Sequence, residues 1–256
     1  ALATALGWIT PAWADLPPQE AALELSQGAI GSFVEGDLAF VNSAGEAVTL
    51  QSFRGQPLLV SLVYTGCSDV CPAIIDSLHP AIEIGQEALG AESFTSITVG
   101  FDVANDTPAR MASFARSLGA DLPNWHFLSA DQTTVDRLSQ SVGFTIEAMA
   151  GGFAHMAQIS ILDENGKIYR HVYGGAFEPP AIVEPLKELV FGRQRPLSSI
   201  DGLIDRVKLF CTIYNSNTGR YYFNYSMFVG MAIGIACLML VLAWLIREFR
   251  RTPTQA

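Results

Sequence analysis

Apolar positions recur along the chain in two periods, and the switching between them draws the elements. Phe33 to Phe40 and Ala47 to Leu50, separated by the turn residues Asn42-Ser43-Ala44-Gly45, predict a β-hairpin. Leu58 to Tyr64 (LLVSLVY) is a continuous apolar run of the kind found in a strand buried on both faces. Ile74, Ile75, Leu78 and Ile82 then recur at helical spacing. Leu89-Gly90 ends that helix, and Pro80 is expected to kink or divide it. Phe94 to Phe101 predicts the next strand, Pro108 to Leu118 a helix capped by Gly119, Trp125 to Leu128 a short strand, and Val135 to Val142 another helix. Ala157 to Leu162 and Lys167 to Tyr173 flank the hairpin turn Asp163-Glu164-Asn165-Gly166, and Pro179 to Val190 predicts a closing helix.

Parallel β-α-β units followed by a terminal hairpin and helix describe an α/β domain of thioredoxin type over residues 33–192, with a central sheet, flanking helices and an N-terminal β-hairpin. Residues 15–32 read as a leader packed loosely on it. Gly192 to Pro196 (GRQRP) reads as a linker within a juxtamembrane segment, residues 193–224. There Leu203, Ile204, Val207 and Leu209-Phe210 give Asp201 to Phe210 an amphipathic pattern, suited either to the membrane surface or to the domain. Ser226 to Ile246 carries no charge, and at ~1.5 Å per residue it spans roughly 30 Å. Tyr221, Tyr222, Phe223 and Tyr225 precede it, Trp244 closes it, and Arg247, Arg250 and Arg251 follow. A single transmembrane helix over 225–247 and a cytoplasmic tail over 248–256 are therefore expected. Ala1 to Thr10 is short and apolar, and Ala12-Trp13-Ala14 is the small-x-small pattern of signal-peptide cleavage. Residues 1–14 are thus expected to be a signal peptide lacking its basic region, with a mature start at Asp15. The domain is expected outside the cytoplasm, in the periplasm if the chain is bacterial, held on the inner membrane.

Composition agrees with that division, because 50% hydrophobic against 16% charged residues is rich for a wholly soluble chain. A net charge of −10, with no basic cluster outside the membrane flank, argues against nucleic acid as a partner. Four cysteines are too few for a disulfide scaffold, so each needs its own explanation.

The informative pair is Cys67 and Cys71, in the turn between the buried strand and the first helix. Pro72 at the first helical position would place Cys71 about at the N-cap, where the helix dipole stabilises a thiolate. Cysteines four positions apart across such a turn can form a disulfide or share one ion. An inert clip closing so small a loop would contribute little stability, which favours redox or metal chemistry.

Tyr64-Thr65-Gly66-Cys67-Ser68-Asp69-Val70-Cys71-Pro72 resembles the C-x-x-x-C-P signature of the Sco/SenC family, copper chaperones that help assemble cytochrome c oxidase. Gly100 to Pro108 (GFDVANDTP) is similar to that family's D-P-x-x-D-T-P segment, with Val103 where proline is usual. Phe153-Ala154-His155 matches the region of its copper-binding histidine. The resemblance covers roughly residues 30 to 192. Ala154 stands where the family commonly has an acidic residue, and the membrane helix is C-terminal where better-known members carry an N-terminal one. The resemblance implies Cys67, Cys71 and His155 as ligands of one copper ion. Two soft thiolates suit Cu(I), and an added imidazole makes a set able to hold Cu(I) or Cu(II). It implies a metallochaperone rather than an enzyme, with the copper-bearing subunit of cytochrome c oxidase or another copper carrier as partner.

Two rival readings remain. Cys67 and Cys71 could be the redox pair of a thiol-disulfide oxidoreductase that reduces the cysteines of the oxidase copper site, with Cys67 attacking. They could instead switch the binding surface of a redox-sensing module. His155 discriminates, because disulfide exchange does not require it. His79, His126 and His171 read as surface or core residues. Met111, Met149 and Met156 read as core filling despite their soft sulfurs. Asp69 reads as solvated, Asp102 and Asp106 as caps of the following helix, Cys237 as a small apolar membrane residue, and Cys211 as an unpaired thiol.

Overall fold

A computed structural model describes residues 18–149, 152–192, 212–215, 218 and 220–251. The chain divides into two compact units, residues 1–193 and 194–256. The signal peptide expected over 1–14, all but Gly192 of the linker expected over Gly192 to Pro196, the amphipathic pattern from Asp201 to Phe210 and Cys211 lie outside the described residues.

The first unit is built on a seven-stranded sheet in the order β2-β1-β5-β4-β3-β8-β9. Its strands are β1 (Ala39–Asn42), β2 (Ala47–Thr49), β3 (Leu58–Val63), β4 (Thr95–Gly100), β5 (Trp125–Ser129), β8 (Gln158–Leu162) and β9 (Ile168–Tyr173). The three central strands run parallel, β3 to β4 and β4 to β5, while β1 and β8 join them antiparallel. Every residue of β3 and β4 is buried, which explains why Leu58 to Tyr64 shows no alternation. Leu59 and Val63 face the core of α2 (Val70–Leu89), α3 (Pro108–Ser117) and α5 (Pro180–Phe191), represented by Ile75, Leu78, Met111, Ile182 and Leu186. Leu58, Val60 and Leu62 face the opposite core, which holds Val135 and Leu138 of α4 (Gln132–Ser141) with Phe40 and Phe101. The expected thioredoxin-type sheet and N-terminal hairpin are present. The first strand is shorter than the apolar pattern predicts, because Phe33 makes only an isolated bridge to Lys167. Helix α2 runs through Pro80 undivided.

The leader differs from expectation. Residues Pro18–Gly28 form helix α1, and it is tied down by buried polar groups. Ser26, wholly buried, donates to Gln158 Oε1 at 2.7 Å and lies 2.9 Å from the Tyr173 hydroxyl, while Gln158 Nε2 donates to the Val142 carbonyl at 2.9 Å. Gly143, at φ +63°, lets the chain pass beneath α1; a Cβ there would sit 2.6 Å from the Leu25 carbonyl oxygen. An eleven-residue helix is marginal alone, so these contacts and not helix propensity hold it.

His171 belongs to the same network, 3.3 Å from Gln158 Nε2 through Nδ1, and burial pushes its imidazole down to about 4. The unfolded chain takes up that proton near pH ~6.5 and the folded chain resists it. Stability is therefore expected to fall as pH drops from ~6.5 towards about 4, and to be indifferent to His171 above that window. Melting temperatures of the wild type and His171→Gln across that range check this; parallel curves would remove His171 from the account.

The second unit holds an antiparallel pair, β10 (Thr212–Asn215) and β11 (Arg220–Phe223), followed by helix α6 (Ser226–Arg251). Its segment Phe228–Glu248 is long and apolar enough to cross a membrane, and none of it is buried. Cys237 is exposed on it.

Candidate metal centre

The chemistry gathers at the C-terminal end of β3. Leaving the sheet, the chain turns through Tyr64 to Asp69 and enters α2, which carries Cys67 on the turn and Cys71 in the first helical turn. Strand β8 runs antiparallel to β3, pairing Ser61 with Ile159, so its beginning lies beside the end of β3. The segment just before β8 is therefore delivered to the cysteines. That segment is a second hairpin, β6 (Ile146–Met149) with β7 (Gly152–His155). His155 ends its second strand. Its Nε2 lies 3.8 Å from Cys71 Sγ, across 84 residues of sequence.

The environment of His155 is aromatic. Its ring packs at centroid distances of 5.9 Å on Tyr64, 5.3 Å on Phe101 and 5.6 Å on Phe144. Nδ1 stands 3.3 Å from the Met156 carbonyl, which fixes the ring's direction and leaves Nε2 towards Cys71. Burial lowers the imidazole's pKa, only partly offset by that carbonyl, so the ring is a neutral donor at physiological pH. These three aromatic partners come from three separate segments of the chain, brought together only by the fold.

The two thiols differ sharply. Cys71 is wholly buried, and burial pushes its thiol far up, with nearby Cys67 and Asp106 adding to the effect. The thiolate expected from the helix dipole at Cys71 is thus overridden by desolvation, and the N-cap is Asp69. Cys67 is half-exposed. Burial pushes it up too, but hydrogen bonds from the backbone N–H groups of Cys71 and Asp69 and from the Cys71 and Tyr64 side chains outweigh that, and the net shift is down. The Cys71 N–H donates to Cys67 Sγ at 3.4 Å. A limiting amount of iodoacetamide at pH 7 is expected to label Cys67 well before Cys71, as peptide mass mapping would reveal. Equal labelling would contradict the asymmetry.

Asp106 has a different role from the one its place before α3 suggests. It is not a helix cap; Thr107 caps α3 and accepts from the Arg110 N–H at 3.4 Å. Asp106 is buried, and its carboxylate accepts from the Thr65 N–H at 2.8 Å, the Thr65 hydroxyl at 2.7 Å and the Asp102 N–H at 2.9 Å. It fastens the turn carrying Cys67 to the loop after β4. Gly100 makes room for it, since a Cβ there would meet Asp106 Cβ at 2.5 Å.

The other candidates are elsewhere. His79 packs on Trp125 and His126 on Phe53, His171 belongs to the α1 network, and Met111 is core. Cys67, Cys71 and His155 share one face, yet among the described residues no three His, Cys, Asp or Glu side chains already stand as a closed metal cage. Two sulfurs and one imidazole fit copper and leave no hard-oxygen donor for magnesium or calcium.

The SCO1/SenC family model matches residues 27–190. The SCO1 protein homolog of Bacillus subtilis is 24% identical over 147 residues, which is 55% of this chain and 74% of that protein. Protein SenC of Rhodobacter capsulatus is 30% identical over 94 residues, 37% of this chain and 42% of that protein. Among solved structures, Bradyrhizobium japonicum ScoI with copper bound superposes with a TM-score of 0.52 at 24% identity, over 61% of this chain and 99% of that one. At that identity the likeness speaks for the fold.

Proposed function

The chain belongs to the SCO1/SenC family, and we propose that it is a membrane-tethered copper-binding protein of cytochrome c oxidase assembly, in which Cys67, Cys71 and His155 hold one copper ion. The observation that carries this reading is the approach of His155 Nε2 to Cys71 Sγ at 3.8 Å. A dithiol that only exchanged disulfides would have no use for a neutral imidazole aimed at its buried sulfur. ScoI, solved with copper bound, supports the choice of metal.

Copper is cargo here. It leaves a donor, is held by thiolates and imidazole, and passes by ligand exchange to the copper-bearing subunit of the oxidase or another copper carrier. Each step trades one metal–ligand bond for another, and the two thiol protons go to solvent on loading. Oxidation of Cys67 and Cys71 to a disulfide removes both sulfur donors, so loading needs the reduced pair. The domain of residues 33–192 works outside the cytoplasm, on the inner membrane of a bacterium. Residues 193–224 join it to a span over 225–247, residues 248–256 face the cytoplasm, and residues 1–14 direct export. The apolar segment Phe228–Glu248 supports the tether.

The test is copper stoichiometry on the full chain, reduced and loaded without oxygen, beside His155→Ala. The wild type is expected to hold one copper. The variant is expected to keep a weaker two-thiolate Cu(I) site but to lose the Cu(II) form with its thiolate charge-transfer band. Copper binding indifferent to His155 would move the assignment to a thiol-disulfide oxidoreductase.

A further inference from the structure

The three proposed ligands come from two distant segments of the chain, and one residue touches both. Tyr64 is the first residue after β3, and its backbone reaches the two cysteines. Its carbonyl accepts from the Cys67 N–H at 3.1 Å, and its own N–H donates to Cys71 Sγ. The side chain reaches the histidine segment. Its hydroxyl donates to Cys67 Sγ and accepts from the N–H of Phe153 in β7, two residues before His155. That hydroxyl lies close over the start of β7, where a Cβ on Gly152 would stand 2.9 Å from it. The Tyr64 ring meets Phe153 edge-on at 5.2 Å and His155 edge-on at 5.9 Å.

We infer that Tyr64 is the positioning residue of the copper site, its hydroxyl fastening the Cys67 turn to the β6–β7 hairpin so that Cys67 and His155 are set against each other before the ion arrives. The inference rests on the copper reading above and adds to it a residue that is not a ligand. A hydroxyl suits this task because it donates and accepts at once, here to a sulfur and from a backbone amide. The two oxidation states of copper depend on it unequally. Two thiolates alone hold Cu(I), whereas Cu(II) needs the imidazole as well, so its stability follows how well nitrogen and sulfur are placed by their outer partners. Phenylalanine at this position would keep the ring, which packs against the cores on both sides of the sheet, and would lose only the bridge.

The experiment compares the reduced full chain with its Tyr64→Phe variant, first without metal and then loaded. Without metal, the Phe153 amide is expected to exchange its proton faster in the variant, having lost its acceptor. In chelator competition, Cu(II) affinity is expected to fall roughly tenfold, the lower end of what losing an outer partner of a metal site costs, and Cu(I) affinity by a smaller factor. The thiolate-to-Cu(II) charge-transfer band is expected to move to longer wavelength, because a sulfur without that hydrogen bond gives up its electron more readily. Melting temperatures are measured alongside. A tyrosine that only packed would change the melting temperature and leave the band and the ratio of the two affinities where they were. An unmoved band with an unchanged affinity ratio, or a Phe153 amide exchanging at the wild-type rate, would overturn the inference while leaving the copper reading standing. A wild type that takes up no copper would overturn both.

Discussion

Replacing Cys71 by serine is expected to abolish copper binding in the full chain while leaving it folded. The hydroxyl is close in size to the thiol, but Cys71 lies in a core otherwise made of Ile74, Ile75, Leu78 and their neighbours, so burying the hydroxyl is expected to cost about 1–3 kcal/mol without unfolding the domain. The chemical loss is larger. Serine offers a hard, protonated oxygen where Cu(I) needs a soft thiolate, and the ion would be left with Cys67 and one imidazole. Affinity is therefore expected to fall by more than the roughly 10–100-fold that loss of an outer partner of a metal site costs. Competition against a Cu(I) chelator measures it, and the melting temperature shows that the fold survives. Cys67→Ser is expected to be nearly as damaging to binding, and less so to packing because Cys67 is half-exposed. Copper retention within severalfold of wild type in Cys71→Ser would remove the buried thiol from the site.

Much of this architecture is legible along the chain. A strand buried on both faces has no alternation to read, and Leu58 to Tyr64 announces itself by length and composition. The turn at Asp163 is equally plain, because its side chain accepts from the N–H groups of Asn165 and Lys167, a local arrangement that sequence encodes locally. The remaining features depend on contacts between distant parts of the chain. Helix α1 has little amphipathic pattern, and its anchor is one serine meeting Gln158 and Tyr173 from far along the chain. The β6–β7 hairpin is short and partly exposed, so periodicity had almost nothing to register. The Cys67–Cys71 pair was visible from spacing, but its asymmetry was not, because burial of Cys71 is decided by the tertiary core. His155 stands out along the sequence only through likeness to a known family; spacing says nothing about a histidine 84 residues from Cys71.

The same distinction gives Asp106→Ala the largest expected structural effect outside the ligands. Asp106 reads locally as a helix cap, yet its carboxylate accepts from three donors, two of them on Thr65 at the start of the cysteine turn. Alanine leaves the Thr65 N–H and hydroxyl and the Asp102 N–H without their acceptor in a site where water is largely excluded. Each such orphan costs ~1–3 kcal/mol, partly offset because a buried carboxylate need no longer be desolvated. A net loss of about 3 kcal/mol is expected, which for a unit of this size lowers the melting temperature by roughly 6–12 °C. Copper binding should weaken as well, because Thr65 is two residues from Cys67 and the turn would no longer be fastened to the loop after β4. Asp106→Asn separates the two effects. It keeps an oxygen for Thr65 but turns an amide donor towards donors that need an acceptor, so it is expected to fall between wild type and alanine in both measurements. Calorimetry and chelator competition on the three proteins decide the matter. An alanine variant that melts within about 2 °C of wild type would show that the turn holds its shape without this carboxylate.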